Sequence, residues 1–171
     1  MMTLPRELKI VNGRILQSPV REIEAYHTNP VHYEKQTVMG ECKLPGIKGR
    51  ILDLSLEILS GDYREFTISF AKDERFHTDL TYRRDKELLE FDRTYSGMVH
   101  DTISFRRVKI KIPKETLKLR LILDKYSVEI FVNNGEQVIS STFYTPLNAD
   151  EIRFTCDGLA MTKIQKYTIS V

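Results

Sequence analysis

Short runs of alternating apolar and polar residues dominate this sequence. Across residues 50–59, the side chains of Leu52, Leu54, Leu56 and Ile58 point one way and the polar ones point the other. Successive side chains of a β-strand face opposite sides of a sheet, so each run predicts a strand with one buried face and one wet face. The same period recurs in five further runs, at residues 66–70, 108–112, 118–123, 127–132 and 167–171.

Turn signals separate these runs. Asn12-Gly13 and Asn134-Gly135 indicate hairpins, because both central residues of a type I′ turn need a positive φ. No helical period extends over ten residues, and only residues 20–25 and 85–89 are candidates for a short turn of helix. The pattern predicts an all-β fold, an antiparallel two-sheet β-sandwich, with a closed β-barrel as the alternative.

Length and charge exclude several classes of protein. The 171 residues favour one domain with its own core. A net charge of +2, from 26 basic and 24 acidic residues, gives no reason to expect nucleic acid or an anionic membrane as a partner. No apolar run reaches the roughly 18 residues of a membrane span, and the first ten residues lack the apolar stretch of a signal peptide. We expect free thiols at Cys42 and Cys156, and a cytoplasmic location.

One segment carries a specific signature. Within residues 119–136, Asp124 is followed after two variable residues by Ser-Val-Glu-Ile-Phe at 127–131. Asn133, Gly135 and Glu136 complete the pattern. This segment resembles the C-terminal domain of glycoside hydrolase family 32. Two further segments resemble that family in the same order: residues 4–22, with Leu-Pro-Arg-Glu-Leu, and residues 91–97. The family usually continues to an aromatic-Pro pair, whereas here one residue is inserted in Tyr144-Thr145-Pro146.

The resemblance implies a domain organisation. Residues 1–20 would be the end of a catalytic propeller and its connector, and residues 21–171 would be a sandwich of two sheets with about six strands each. The partner would be the catalytic propeller of the parent enzyme, a β-fructofuranosidase that hydrolyses sucrose or sucrose 6-phosphate with retention. Without that partner, residues 1–20 should be the least anchored part of the chain. A homodimer is left open.

The catalytic groups of the family are not expected in this chain. Retaining glycosidases use two carboxylates about 5 to 5.5 Å apart. In the family these lie in the propeller, in Asn-Asp-Pro and Glu-Cys motifs, with a further Arg-Asp-Pro motif. The chain has neither Asp-Pro motif; Arg84-Asp85 is followed by Lys86. Glu41-Cys42 is interpreted as the end of a strand before a Pro-Gly turn. No catalytic residue is therefore predicted, and the chain alone is not expected to be an enzyme.

Other polar clusters have simpler interpretations. His27, His32 and Glu34 are irregularly spaced, which favours a surface loop over a zinc site. His77 and His100 are isolated. No metal and no cofactor is predicted. The arginines of the middle region, interleaved with carboxylates, favour surface ion pairs: Arg83, Arg84, Arg93, Arg106 and Arg107.

Carbohydrate binding by the chain itself is not expected, although a free-standing carbohydrate-binding module is the alternative function. The sequence has no Trp, the best stacking platform. Tyr95, Tyr126 and Tyr144 lie near turns and are candidates for exposure. Four other aromatic residues are interpreted as core: Tyr63, Phe66, Phe70 and Tyr82.

The strand of the signature assigns its side chains to two faces. Three of its residues should face the sandwich core: Val128, Ile130 and Val132. Ser127, Glu129 and Phe131 should then face outward or toward the missing partner.

Overall fold

The computed structural model describes residues 3–97, 104–110 and 116–170, and nearly all of its regular structure is β-strand. A 3-10 helix, Arg21–Tyr26, lies between β2 and β3. The strands are β1 (Arg6–Val11), β2 (Arg14–Pro19), β3 (His27–Cys42), β4 (Leu52–Lys72), β5 (Thr78–Arg83), β6 (Leu88–Asp92), β7 (Phe105–Lys109), β8 (Leu117–Asp124), β9 (Ser127–Val132), β10 (Gln137–Thr142) and β11 (Glu151–Ile169).

Three long strands, β3, β4 and β11, run through both layers of a sandwich. The first half of β4 pairs with β8, its second half pairs with β5, and β11 accompanies it along almost its whole length. Layer A is therefore β10-β9-β8-β4-β11-β3, and layer B is β3-β11-β4-β5-β6-β7. All pairs are antiparallel. The predicted sandwich of two six-stranded sheets is confirmed, and the barrel alternative is wrong, because the strand order leaves open edges at β10 and β7.

The strands change layer at bulges near Gly61 and Gly158. The register of β11 against β4 shifts between Asp157 and Gly158, and against β3 between Cys156 and Leu159. Gly158 has a φ of +117°, and a Cβ there would overlap the Asp62 carbonyl oxygen. A bulge bends a strand and increases its twist, so this crossing turns one sheet into two packed layers.

The core fills the space between the layers. The alternating residues of β4 that were predicted to be buried are all inaccessible: Leu52, Leu54, Leu56 and Ile58. Layer B contributes Phe70, whose ring lies 5.8 Å from that of Phe143 and 6.4 Å from that of Phe91. The core assignment of the four aromatic residues Tyr63, Phe66, Phe70 and Tyr82 is confirmed.

The turn predictions were partly right. Asn12-Gly13 joins β1 to β2 with φ values of +50° and +75°. Asn134-Gly135 lies in the β9–β10 connection, but this is a four-residue loop rather than a two-residue turn, because Val132 pairs with Gln137. The 3-10 helix confirms the helical turn near residues 20–25. The second candidate, residues 85–89, is wrong: residues 84–87 form the tight turn between β5 and β6, and the chain is a strand again from Leu88.

The loop predicted around His27, His32 and Glu34 is also wrong. These residues belong to β3, which pairs with β11 through three register irregularities, two of them in the half of β3 that contains these residues. Asn29, with a φ of +48°, and Pro30 break the sequence pattern of a strand without ending it. Residues 111–112, Val171 and His100, which figured in the sequence predictions, lie outside the described residues. Within the described part of the chain, no helix has the length and apolar character that crossing a membrane requires.

Candidate docking face

The outer face of layer A is covered by the segment that precedes the sandwich. The β1–β2 hairpin and the 3-10 helix lie over it and enclose a second apolar cluster, separate from the core. Ile23, Ile122 and Phe131 form its centre. Leu4, Val138 and Ile169 pack around them.

The Arg6–Glu129 ion pair joins the hairpin to β9. Glu129 lies on the outer face of β9 but is only 4% exposed. Its Oε2 accepts hydrogen bonds from Arg6 Nη2 at 2.6 Å and Nε at 3.0 Å, and its Oε1 accepts one from the Leu4 backbone N–H at 2.5 Å. Arg6 also donates to Gln17 Oε1 at 3.0 Å and Ser140 Oγ at 2.8 Å. A buried carboxylate is tolerated when it is paired and hydrogen-bonded, as Glu129 is.

Phe131 is the main correction to the sequence prediction for this strand. The alternation is right: Val128, Ile130 and Val132 face the core, and Glu129 and Phe131 lie on the other face. The expected exposure is wrong, because Phe131 is only 3% accessible and Arg6 Cζ lies 5.7 Å from its ring centroid. Ser127, at the strand end, is half-buried. Periodicity assigns the face of a side chain, but it carries no signal for a distant segment folding over that face.

The hairpin has a second attachment at the β9–β10 loop. The Gln17 N–H donates to the Gly135 carbonyl at 3.0 Å. Gly135 has a φ of +90°, and a Cβ there would overlap the Gln17 carbonyl oxygen. Only glycine allows this approach without strain. The expectation that residues 1–20 are the least anchored part is therefore wrong for the body of the hairpin, which is held at Glu129 and at Gly135.

A buried polar cluster lies beside this face, under the 3-10 helix. Asp53 accepts bonds from Arg120 Nε at 3.1 Å and Nη2 at 2.6 Å, and its Oδ2 lies 3.1 Å from His27 Nε2. The His27 ring stacks on Tyr167 with centroids 4.4 Å apart, and His32 meets the same ring edge-on at 5.4 Å. The two histidines thus contribute to packing. No group of three or more metal-ligating side chains occurs within the described ranges.

Arg50 is a further buried charge that the sequence interpretation missed. It donates to the carbonyl oxygens of Lys125, Pro146 and Ala149 and to Thr145 Oγ1, at 2.5 to 3.1 Å, and its Cζ lies 4.9 Å from the Phe143 ring centroid. Burial lowers the pKa of its guanidinium. This arginine therefore fixes the loop that contains the inserted Thr145.

An apolar surface remains uncovered on the hairpin. The cross-strand pair Ile10 and Ile15 and the neighbouring Leu8 share one face, because Ile10 lies opposite Ile15 and Leu8 lies two residues from Ile10. They are 79%, 60% and 66% exposed, respectively. We call these three residues the apolar hairpin face. Such a cluster on a projecting hairpin is typical of a contact surface.

A pocket lies at the base of the hairpin. Its volume is about 420 Å³, and its lining is mostly apolar. Leu4, Ile23, Ile122 and Ile169 contribute to it from the side of the second cluster. Ser127 and the exposed carboxylates of Glu22 and Asp124 also line it. We call this cavity the basal pocket.

The residues that mimic catalytic motifs lie elsewhere. Glu41 is the last residue but one of β3, lies on the surface and forms an ion pair with Arg153, which agrees with the strand interpretation of Glu41-Cys42. Cys42 and Cys156 are free thiols, as predicted. Burial raises the pKa of the Cys156 thiol to about 11, which makes it a poor nucleophile. Arg84 and Asp85 lie in the β5–β6 turn.

The remaining surface candidates also have structural contacts. Arg83 and Arg107 both pair with Glu90, at 3.6 and 2.5 Å, which supports the ion-pair interpretation of the basic middle region. Tyr95, Tyr126 and Tyr144 are exposed as expected. The Tyr95 ring stacks on His77 with centroids 4.9 Å apart, so one face of that ring is already occupied.

The fold is that of a two-layer antiparallel β-sandwich domain whose outer face is covered by a hairpin with an exposed apolar face. The family model for the C-terminal domain of glycosyl hydrolases family 32 matches residues 22–170. The chain belongs to this family.

Relatives and solved structures show how much of a longer protein the chain matches. It is 28% identical over 174 residues to a sucrose-6-phosphate hydrolase of Staphylococcus xylosus, covering 98% of this chain and 34% of that protein. It is 30% identical to a levanase of Bacillus subtilis, covering 81% of this chain and 22% of that protein. The sucrose-6-phosphate hydrolase structure from Lactobacillus gasseri superposes with a TM-score of 0.81 at 21% identity, covering 96% of this chain and 33% of that one. The exo-inulinase structure from Aspergillus awamori gives 0.80 at 19%, covering 98% and 35%. The chain thus spans about a third or less of these proteins.

Proposed function

We propose that this chain is the non-catalytic C-terminal accessory domain of a β-fructofuranosidase that hydrolyses sucrose or sucrose 6-phosphate, and that it binds and stabilises the catalytic propeller of that enzyme. In this proposal residues 1–20 are the end of the catalytic propeller and its connector, and residues 21–171 are the β-sandwich domain. The observation that carries the proposal is the apolar hairpin face, which projects from a segment anchored to the sandwich at Glu129 and Gly135.

The arrangement of the hairpin suits docking. The Arg6–Glu129 ion pair and the Gln17–Gly135 bond hold the hairpin against layer A, and the apolar hairpin face, which lies nearer the tip at Asn12-Gly13, stays exposed and available to a partner. Fully burying one aliphatic side chain of this size is worth about 1.5 to 3 kcal/mol. Three such side chains give a substantial interdomain contact without further change in this chain.

Two carboxylates that stand out in the sequence, Glu41 and Glu129, have partners that do not suit glycoside hydrolysis. A retaining mechanism requires a nucleophile and an acid facing each other across a substrate site. Glu41 is paired with Arg153 on the surface, and Glu129 is occupied by Arg6 and Leu4. We therefore expect no release of glucose or fructose from sucrose by this chain alone. The two free thiols favour a reducing compartment, and we propose the cytoplasm.

A chimeric enzyme tests the proposal. The catalytic region of the Staphylococcus xylosus sucrose-6-phosphate hydrolase, without its own C-terminal third, is produced alone and fused to this chain. Sucrose 6-phosphate hydrolysis is followed after incubation at increasing temperature. The fusion should lose activity at least tenfold more slowly than the catalytic region alone. Equal rates of inactivation would contradict a stabilising role, and hydrolysis by the isolated chain would contradict a non-catalytic one.

A further inference from the structure

The basal pocket is an unfilled apolar cavity at the point where the chain enters the sandwich. Its volume of about 420 Å³ lies between the 3-10 helix, the β8–β9 turn and Leu4. The side chains of Ile23, Ile122 and Ile169 form one apolar wall. Interface hot spots are typically large side chains that fill such desolvated pockets near the centre of a contact. The pocket therefore has the form of a receptor for one large side chain.

The rim of the basal pocket is acidic. Glu22 and Asp124 are exposed, and neither has a Lys or Arg partner within 4 Å in the part of the chain that the structure describes. Glu129, the third carboxylate of the lining, is already satisfied by Arg6 and by the Leu4 N–H. Asp124 Oδ1 accepts a hydrogen bond from the Lys125 backbone N–H at 2.7 Å, so its charge is still not balanced by a cation. A partner that carries positive charge beside its apolar anchor would therefore meet two carboxylates without an ion-pair partner at the mouth.

The position of Leu4 indicates which partner this is. Because Leu4 forms part of the pocket wall, a polypeptide joined ahead of residue 1 begins within about 10 Å of the pocket. The relatives carry roughly two-thirds of their length outside the region that this chain matches, and the matching family is a C-terminal domain.

We infer that the basal pocket is the anchor site of the interdomain interface: it receives a large apolar side chain of the catalytic domain, flanked by a Lys or Arg that pairs with Glu22 and Asp124. This inference rests on the proposed function. It adds a specific binding element, distinct from the apolar hairpin face, which lies farther along the hairpin toward its tip at Asn12-Gly13.

Pocket-filling and charge-reversal variants of the chimera described above test this inference. Ser127→Trp fills the pocket from the start of β9, where the side chain is half-buried on the pocket wall. Ser69→Trp is the matched control, since Ser69 is also a half-buried strand serine but pairs with Asp79 and Arg153 in layer B. The double variant Glu22→Lys/Asp124→Lys changes two exposed side chains and removes one local hydrogen bond, from the Lys125 N–H to Asp124, so we expect the chain to keep its fold.

The inference predicts that Ser127→Trp abolishes most of the tenfold protection, that Glu22→Lys/Asp124→Lys reduces it at least threefold, and that Ser69→Trp leaves it unchanged. The melting temperature of each isolated chain shows whether the variant itself folds; if Ser127→Trp does not, the charge-reversal pair decides. If the wild-type fusion protects and neither pocket variant reduces the protection, the pocket inference is overturned and the proposed function stands. If the wild-type fusion gives no protection, the proposed function itself fails.

Discussion

Replacing Glu129 by Gln should release the β1–β2 hairpin from the sandwich. The substitution keeps the size of the side chain but removes the charge that accepts two bonds from Arg6 and one from the Leu4 N–H. Removing one partner of a buried ion pair typically costs about 3 to 5 kcal/mol. Arg6 is 20% exposed and keeps its bonds to Gln17 and Ser140, so we expect about 2 to 3 kcal/mol here.

Two measurements test this prediction. Guanidinium-induced unfolding, followed by far-UV circular dichroism because the chain has no Trp, gives the free energy of unfolding. Hydrogen exchange at the Gln17 amide, which donates to Gly135, reports detachment of the hairpin. The control is a double-mutant cycle with Arg6→Met, in which the two changes should couple by more than about 1 kcal/mol. A loss below about 0.5 kcal/mol with unchanged exchange at Gln17 would refute the view that this pair anchors the hairpin.

Four further substitutions and one thiol-reactivity measurement test other parts of the structure. Ile130→Ala and Phe131→Ala should each lower the free energy of unfolding of the isolated chain by about 2 to 5 kcal/mol, since both side chains are buried. A much smaller loss for Phe131→Ala would mean that the hairpin does not cover this face of the sheet. Gly135→Val should lower the stability by at least about 1 kcal/mol, and the melting temperature by several degrees, because the valine would be strained at positive φ and would overlap the hairpin. An unchanged melting temperature would show that the β9–β10 loop does not contact the hairpin in this way. Arg50→Met should cost about 3 kcal/mol by leaving buried carbonyl oxygens unpaired, and chemical denaturation measures it. With a pKa near 11, Cys156 should react with iodoacetamide at pH 8 about two orders of magnitude more slowly than a free thiol, and a fast reaction would contradict its burial.

The sequence predicted the strands of the core well because burial imposes a period of two. Leu52 to Ile58 and Val128 to Val132 show it without interruption, and all their inward residues are buried. The same period says nothing about strands that bend. β4 and β11 each serve both layers through bulges near Gly61 and Gly158, a geometry that depends on pairing between residues about 100 positions apart.

The docking face was harder to predict for the same reason. Arg6 and Glu129 both lie in segments that resemble the family, yet nothing local in either segment links them across 123 positions. Glu129 and Phe131 have the alternation of exposed residues, and only the folded hairpin makes them buried. The first half of β3 was missed because Asn29 and Pro30 carry local turn signals that pairing with β11 overrides.

Hydrogen exchange of the hairpin, compared between the isolated chain and the chimera, tests the central claim most directly. The apolar hairpin face should be exposed in the isolated chain and buried in the fused enzyme. We predict that the amides of β1 and β2 around Leu8, Ile10 and Ile15 exchange at least tenfold more slowly in the chimera, while those around Ser69 in layer B do not change. Equal exchange of the hairpin in both proteins would show that this face does not contact the catalytic region, and would contradict the proposal that the domain docks through it.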